Sequence, residues 1–156
     1  MTPTVTNTAP FNTIVLATDF QPCSKRAVEV ATQLARASAG RLLVVHSFEP
    51  PSYAYSGAEF AVYDWFTPLQ ESARKSLDDQ VRALCECGVR AEGVMSVGAA
   101  WQNILSVAKE QKADVIVLGT HGRRGVMHAL LGSVAEKVVR VSAVPVLTVR
   151  GEVDAE

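Results

Sequence analysis

Short apolar runs alternate along the chain with stretches whose apolar residues recur at helical spacing, the pattern of strands and helices laid on a parallel sheet. Ile14-Val15-Leu16-Ala17 is the first run, followed by a helix carrying Ala27, Val28, Ala31, Leu34 and Ala35 on one face. Gly40 stands where a left-handed glycine would stop that helix. Leu42 to Val45 is the second run. Thr67-Pro68-Leu69-Gln70 reads as a helix start, with Thr67 as N-cap, Pro68 at the first helical position and Gln70 closing a capping box. Leu69, Ala73, Leu77, Val81 and Leu84 continue its apolar face, and Gly88 ends it. Val89 to Met95 at first alternates apolar and polar residues, as a strand with one wet face does. A helix with Trp101, Ile104, Leu105 and Ala108 inward leads to the run Val115 to Leu118. Beyond a glycine-rich loop, Val134, Ala135, Val138 and Val139 mark a last helix, and Val144 to Val149 a last strand.

The same pattern predicts the strand order. Runs one, two and four are apolar throughout and belong in the centre, whereas run three carries charge and run five contains Pro145, which a central ladder does not tolerate. Right-handed crossovers with those edges give a single open five-stranded parallel sheet, order 3-2-1-4-5, with helices on both faces. Its winding reverses between strands one and four. In such sheets the ligand crevice lies at the carboxyl ends of the strands flanking the reversal, here after Ala17 and after Leu118.

Composition narrows the class of protein. The 156 residues are 48% hydrophobic and 20% charged with a net charge of −1, which fits one globular domain and excludes a global field for nucleic acid or an anionic membrane surface. No stretch approaches a membrane span, and the first residues lack the features of a secretory signal, so the expected location is cytoplasmic. His46, His121 and His128 make no metal-binding spacing, and no metal held by side chains is expected. Cys23, Cys85 and Cys87 read as buried or inert thiols. Six of the ten aromatic residues, Tyr53, Tyr55, Phe60, Tyr63, Trp65 and Phe66, crowd the stretch between Pro50 and Pro68. That stretch reads as a long connection, either packed down by its own rings or serving as a lid or partner surface.

The chemistry gathers after strand four. Gly119-Thr120-His121-Gly122-Arg123-Arg124-Gly125 supplies three glycines and two positive charges, and Gly132-Ser133 then opens a helix, with no acid between Gly119 and Ser133. Unshielded N–H groups, local positive charge and a helix N-terminus are the parts of a phosphate cradle. The spacing is neither GxxxxGK[ST] nor GxGxxG but Gly-x2-Gly-x9-Gly-Ser.

That spacing, with IVLATDF (Ile14 to Phe20), ADVIVLGTHG (Ala113 to Gly122) and LGSVAEKVVRVSAVPVLTV (Leu131 to Val149), resembles the universal stress protein family in its ATP-binding branch. The resemblance spans residues 12–150, between an N-terminal arm of residues 1–11, expected to be flexible, and an acidic tail of residues 151–156. It implies a Rossmann-like fold of the adenine nucleotide alpha hydrolase type and ATP, with Mg²⁺, bound across the crevice. By position, Ala17, Thr18 and Asp19 would line the adenosine, and Ser47 would meet adenine through its backbone. Leu118, Gly119, His121, Gly122, Arg123, Arg124, Gly125, Gly132, Ser133 and Val134 would contact ribose and phosphates. It further implies a homodimer formed by pairing Val144 to Val149 of two subunits.

Bland readings compete at several positions. Asp19 suits the start of the first helix, Ser133 with Glu136 forms a capping box of its own, and Arg123 and Arg124 suit a solvated loop face. The leading functional reading is a nucleotide-occupied regulator in stress response with little or slow hydrolysis, no dedicated catalytic residue and an unidentified protein partner. An ATP-hydrolysing or adenylyl-transferring enzyme on the same fold is the first alternative, although neither an SGGxDS nor an HxGH pattern is present. A protein-interaction module without nucleotide is the second.

Overall fold

The computed structural model describes residues 11–49, 59–120 and 131–151, with the backbone alone described over 59–66. Five strands, β1 (Thr13–Ala17), β2 (Arg41–Phe48), β3 (Arg90–Val97), β4 (Val115–Gly119) and β5 (Val146–Val149), alternate with four helices. The helices are α1 (Lys25–Ser38), α2 (Glu59–Glu86), α3 (Ala100–Glu110) and α4 (Ser133–Val141), and a 3₁₀ turn at Pro22–Ser24 precedes α1. All four strand pairings are parallel and the order is β3-β2-β1-β4-β5, as the run composition predicts.

Strand periodicity divides the core into two layers, because successive side chains leave opposite faces of the sheet. Ile14, Leu16, Leu42, Val44, Val115 and Val117 pack against Ala27, Ala31 and Ala35 of α1 and Leu77 and Leu84 of α2. Val15, Leu43, Val45, Ile116 and Leu118 pack on the other face against Ile104, Val107 and Ala108 of α3 and Ala135 and Val138 of α4. Fully apolar central strands are therefore required on both sides. Asp114 fixes the amino edge of this sheet: its Oδ2 accepts the N–H groups of Asn12 (2.7 Å) and Thr13 (2.8 Å).

Several local expectations are corrected. The left-handed residue after α1 is Ala39 (φ 51°), not Gly40. The N–H groups of Ala39 and Gly40 reach back to the carbonyls of Arg36 and Ala35, closing a Schellman turn one residue earlier than expected. Gly40 is needed for a different reason, since a Cβ there would run into the Phe11 carbonyl oxygen. At the end of α2 the expected glycine does take the left-handed position, with Gly88 at φ 80°.

The start of α2 differs more. The helix runs for 28 residues with Pro68 inside it, so Thr67 is not an N-cap and the capping-box reading of Thr67 to Gln70 fails. Nothing from Glu59 to Thr67 is a glycine or proline, so the chain before Pro68 holds helical geometry, and the proline forfeits one backbone bond without ending it. The second half of the aromatic stretch is therefore helix rather than connection, while Tyr53 and Tyr55 lie outside the described residues. At about 1.5 Å per residue α2 is some 42 Å long, and Leu69 on its expected apolar face is 49% exposed because that end lies away from the core. Val139 of α4 is likewise exposed rather than inward. Cys85 and Cys87 are exposed rather than buried, for both fall where α2 leaves the sheet, and Cys23 is half-buried.

Candidate functional site

Three strand ends and one helix start meet the carboxyl side of the sheet at the winding reversal. The first is the turn after β1. Thr18 extends the ladder by one residue, its N–H bonding the Val45 carbonyl at 3.0 Å. Its buried hydroxyl Oγ1 accepts the Phe20 N–H (3.1 Å) and lies 3.3 Å from Ser24 Oγ. Ser24 spends its proton on the Gln21 carbonyl (2.8 Å), so in the Thr18–Ser24 pair the threonine donates. Phe20 is held at φ 60°, a left-handed conformation rare for a bulky residue.

Asp19 sits at the centre of that turn. Its Oδ1 accepts the Gln21 N–H at 3.1 Å, which ties one carboxylate oxygen into the turn ahead of the Pro22–Ser24 segment. Oδ2 has no hydrogen-bond partner among the described residues. Both readings of Asp19 thus have structural content: one oxygen organises the turn and the other is open to a ligand. The carboxylate also acts on its neighbour Cys23, whose thiol is pushed above its ordinary value by burial first and by the Asp19 charge second.

The β2 end contributes Ser47, whose Oγ accepts from Asn103 Nδ2 of α3 at 3.0 Å, and His46, which is buried. The His46 Nδ1 lies 2.9 Å from the Thr18 carbonyl oxygen, and its ring is 4.4 Å from that of Phe20. Sequence reading singled out neither Asn103 nor His46 nor Phe20 for the site. A histidine closing an otherwise apolar run marks the second of them as unusual without giving it a role.

The β4 end and the α4 start are tied together. Thr120 N–H bonds the Val149 carbonyl at 2.9 Å, and the Gly132 N–H bonds the Thr120 carbonyl, so the chain leaves β4 and re-enters at α4 at one point. Gly132 is the N-cap of α4 and has no side chain to cap with, so the capping box expected from Ser133 with Glu136 does not form. Ser133 is instead the first helical residue and is exposed. The N–H groups of that first turn have no partner within the helix. Leu118 is buried with its side chain in the α3–α4 layer, Val134 packs partly into the same layer, and Ala17 and Gly119 close their strands half-exposed. His121, Gly122, Arg123, Arg124, Gly125 and His128 lie outside the described residues.

The described residues gather no group of three or more His, Cys, Asp or Glu side chains that would hold a metal. Among them, no helix is long and apolar enough to cross a membrane.

An open parallel α/β sheet whose winding reverses between an acidic turn and a glycine-started helix defines a domain of the doubly wound class, in which ligands bind at such a crevice. Residues 10–150 match the Universal stress protein family, and the chain belongs to it. A universal stress protein of Thermus aquaticus, from the region 3′ of a QAH/OAS sulfhydrylase, is 39% identical over 146 residues, covering 90% of this chain and 99% of that protein. A universal stress protein solved in complex with cAMP superimposes with a TM-score of 0.62 at 30% identity, over 91% of this chain and 98% of that one. The protein MJ0577 of Methanocaldococcus jannaschii shares the fold with a TM-score of 0.81 at 24% identity, over 92% and 98% of the two chains.

Proposed function

We propose that this universal stress protein binds an adenine nucleotide, ATP with Mg²⁺, across the carboxyl ends of β1 and β4, and acts as a nucleotide-occupied regulator with little or slow hydrolysis. The observation that carries the reading is the Asp19 turn. One carboxylate oxygen is fixed at 3.1 Å on Gln21 and the other has no partner among the described residues, at the topological switch point. That is a preorganised acceptor for sugar hydroxyls or a base amino group. The first turn of α4, from Ser133, offers N–H groups with no partner within the helix, of the kind that hold phosphate. A relative in complex with cAMP at 30% identity supports the same ligand class.

In this reading Mg²⁺ is carried on the phosphates rather than in a protein cage. The ion would neutralise phosphate charge there. In this reading Arg123, Arg124, His121, Gly122 and Gly125 complete the phosphate side, the protein works in the cytoplasm, and it pairs with a second copy through Val144 to Val149.

The test is direct. Denaturing the purified protein should release an adenine nucleotide, and calorimetric titration of the emptied protein should show ATP binding. Losing a charge-assisted bond at Asp19→Ala should weaken it by about ten- to a hundredfold, or about 1.5–3 kcal/mol. Unchanged affinity in that variant would remove Asp19 from the site, and rapid turnover of bound ATP would replace the regulator with an enzyme.

A further inference from the structure

We propose that His46 is a positioning residue for nucleotide binding: its imidazole clamps the turn that carries Asp19 and thereby sets where that carboxylate meets the ligand. The inference rests on the nucleotide reading above.

The clamp has two jaws. A carbonyl oxygen only accepts, so the 2.9 Å contact between His46 Nδ1 and the Thr18 oxygen fixes the ring as the tautomer, or the cation, that carries a proton on Nδ1. In a parallel ladder the next rung after Thr18 N–H to Val45 would run from the Ser47 N–H to that same carbonyl. Here the imidazole supplies the donor, and the backbone is released to turn away from the sheet without leaving a buried acceptor unpaired. The second jaw is the ring face. The Phe20 ring lies 4.4 Å from the His46 ring at a tilt of 34°, which holds Phe20 in its left-handed conformation beyond what its N–H bond to Thr18 Oγ1 achieves.

His46 therefore grips the residue before Asp19 by its carbonyl and the residue after it by its ring. It comes from β2, whose Leu42 and Val44 are fully buried, so the clamp is mounted on the rigid part of the molecule. Asp19 has no latitude to re-aim between two fixed neighbours. An apolar residue at 46 would leave the Thr18 carbonyl buried without its donor, and the turn would relax to satisfy it.

The experiment compares His46→Leu, which loses the donor, with His46→Asn, whose Nδ2 keeps a donor at a similar reach. ATP affinity is measured by titration calorimetry, alone and combined with Asp19→Ala. His46→Leu should bind about ten- to a hundredfold more weakly, the loss expected of a misplaced charge-assisted bond. His46→Asn, which restores the donor and not the ring face, should recover part of that loss, binding several-fold more tightly than His46→Leu. In the Asp19→Ala background, His46→Leu should cost nothing more, because a residue acting through Asp19 has nothing left to position. Equal loss in both backgrounds, or no rescue by asparagine, would overturn the proposal.

Amide hydrogen exchange of Asp19, Phe20 and Gln21, followed without nucleotide, separates this failure from failure of the nucleotide reading. Exchange should accelerate in His46→Leu, and less in His46→Asn, which keeps the donor but not the ring, whatever the ligand proves to be. Unchanged exchange in His46→Leu refutes the clamp. A protein that shows the exchange effect yet binds no nucleotide refutes the binding role and leaves only the local fold.

Discussion

The hydroxyl of Thr18 is the smallest group on which the candidate site depends, and replacing it by the isosteric Thr18→Val isolates its contribution. The valine keeps the buried methyl and volume while removing two hydrogen bonds, the one accepted from Phe20 N–H at 3.1 Å and the one donated to Ser24 Oγ at 3.3 Å. Ser24 loses little, because it keeps its 2.8 Å bond to the Gln21 carbonyl. The Phe20 N–H is left without a partner, and an unpaired buried donor costs about 1–3 kcal/mol. Phe20 is only half-buried, which puts the expected loss in the lower half of that range, about 1–2 kcal/mol. For a domain of this size that lowers the melting midpoint by roughly 3–6 °C. Urea denaturation gives the first number and calorimetry the second. Thr18→Ser is the control: it keeps the hydroxyl, loses one methyl worth about 0.8 kcal/mol, and should leave the Phe20 amide protected from exchange. If Thr18→Val were as stable as the unmodified protein, or if Phe20 exchanged no faster in it than in Thr18→Ser, the turn would not be held by this hydroxyl.

Other expectations follow from the site and its surroundings. Gly122→Val should block close approach of phosphate to the backbone and reduce ATP binding at least tenfold in a calorimetric titration; undiminished affinity would move the phosphates elsewhere. Leu147→Arg places a charge on an exposed position of the β5 edge, and sedimentation should show the dimer proposed through that strand falling to monomer. Iodoacetamide at pH 8 should label exposed Cys85 and Cys87 well before Cys23, whose thiol is held protonated to higher pH by burial and by the Asp19 charge; mass spectrometry of peptides from a short pulse would reverse this order if that assignment were mistaken.

The sheet was legible because its information is redundant. Four apolar residues in a row at Leu42 to Val45 already require two covering layers, and charge in run three with Pro145 in run five already forces those strands outward. Local stop and start signals were less legible, since one residue serves several purposes. Gly40 looks like a helix stop, but the backbone packing of Phe11 demands it, and Ala39 tolerates the left-handed turn. Thr67-Pro68-x-Gln70 has the composition of a helix start and lies inside a helix, because nothing upstream breaks it. At the candidate site, the strand order pointed to Asp19 and the glycine spacing to Gly132-Ser133, whereas neither pointed to His46 or Asn103. Their roles depend on which strand ends and helix faces come together across 28 residues in one case (Thr18 to His46) and 56 in the other (Ser47 to Asn103), and no local pattern encodes that.

The two edges of the sheet are unequal. The β3 edge is eight residues long and presents exposed Arg90 and Glu92, whose charges and hydration oppose the docking of another strand. The β5 edge is four residues long, wholly uncharged and carries exposed Leu147. As a component for assembly the domain would then have a valence of one: the two-fold pairing proposed at β5 would consume the one uncharged sheet edge among the described residues. Further strand addition would meet only the charged β3 edge, so association through the sheet would stop at two copies however concentrated the protein became.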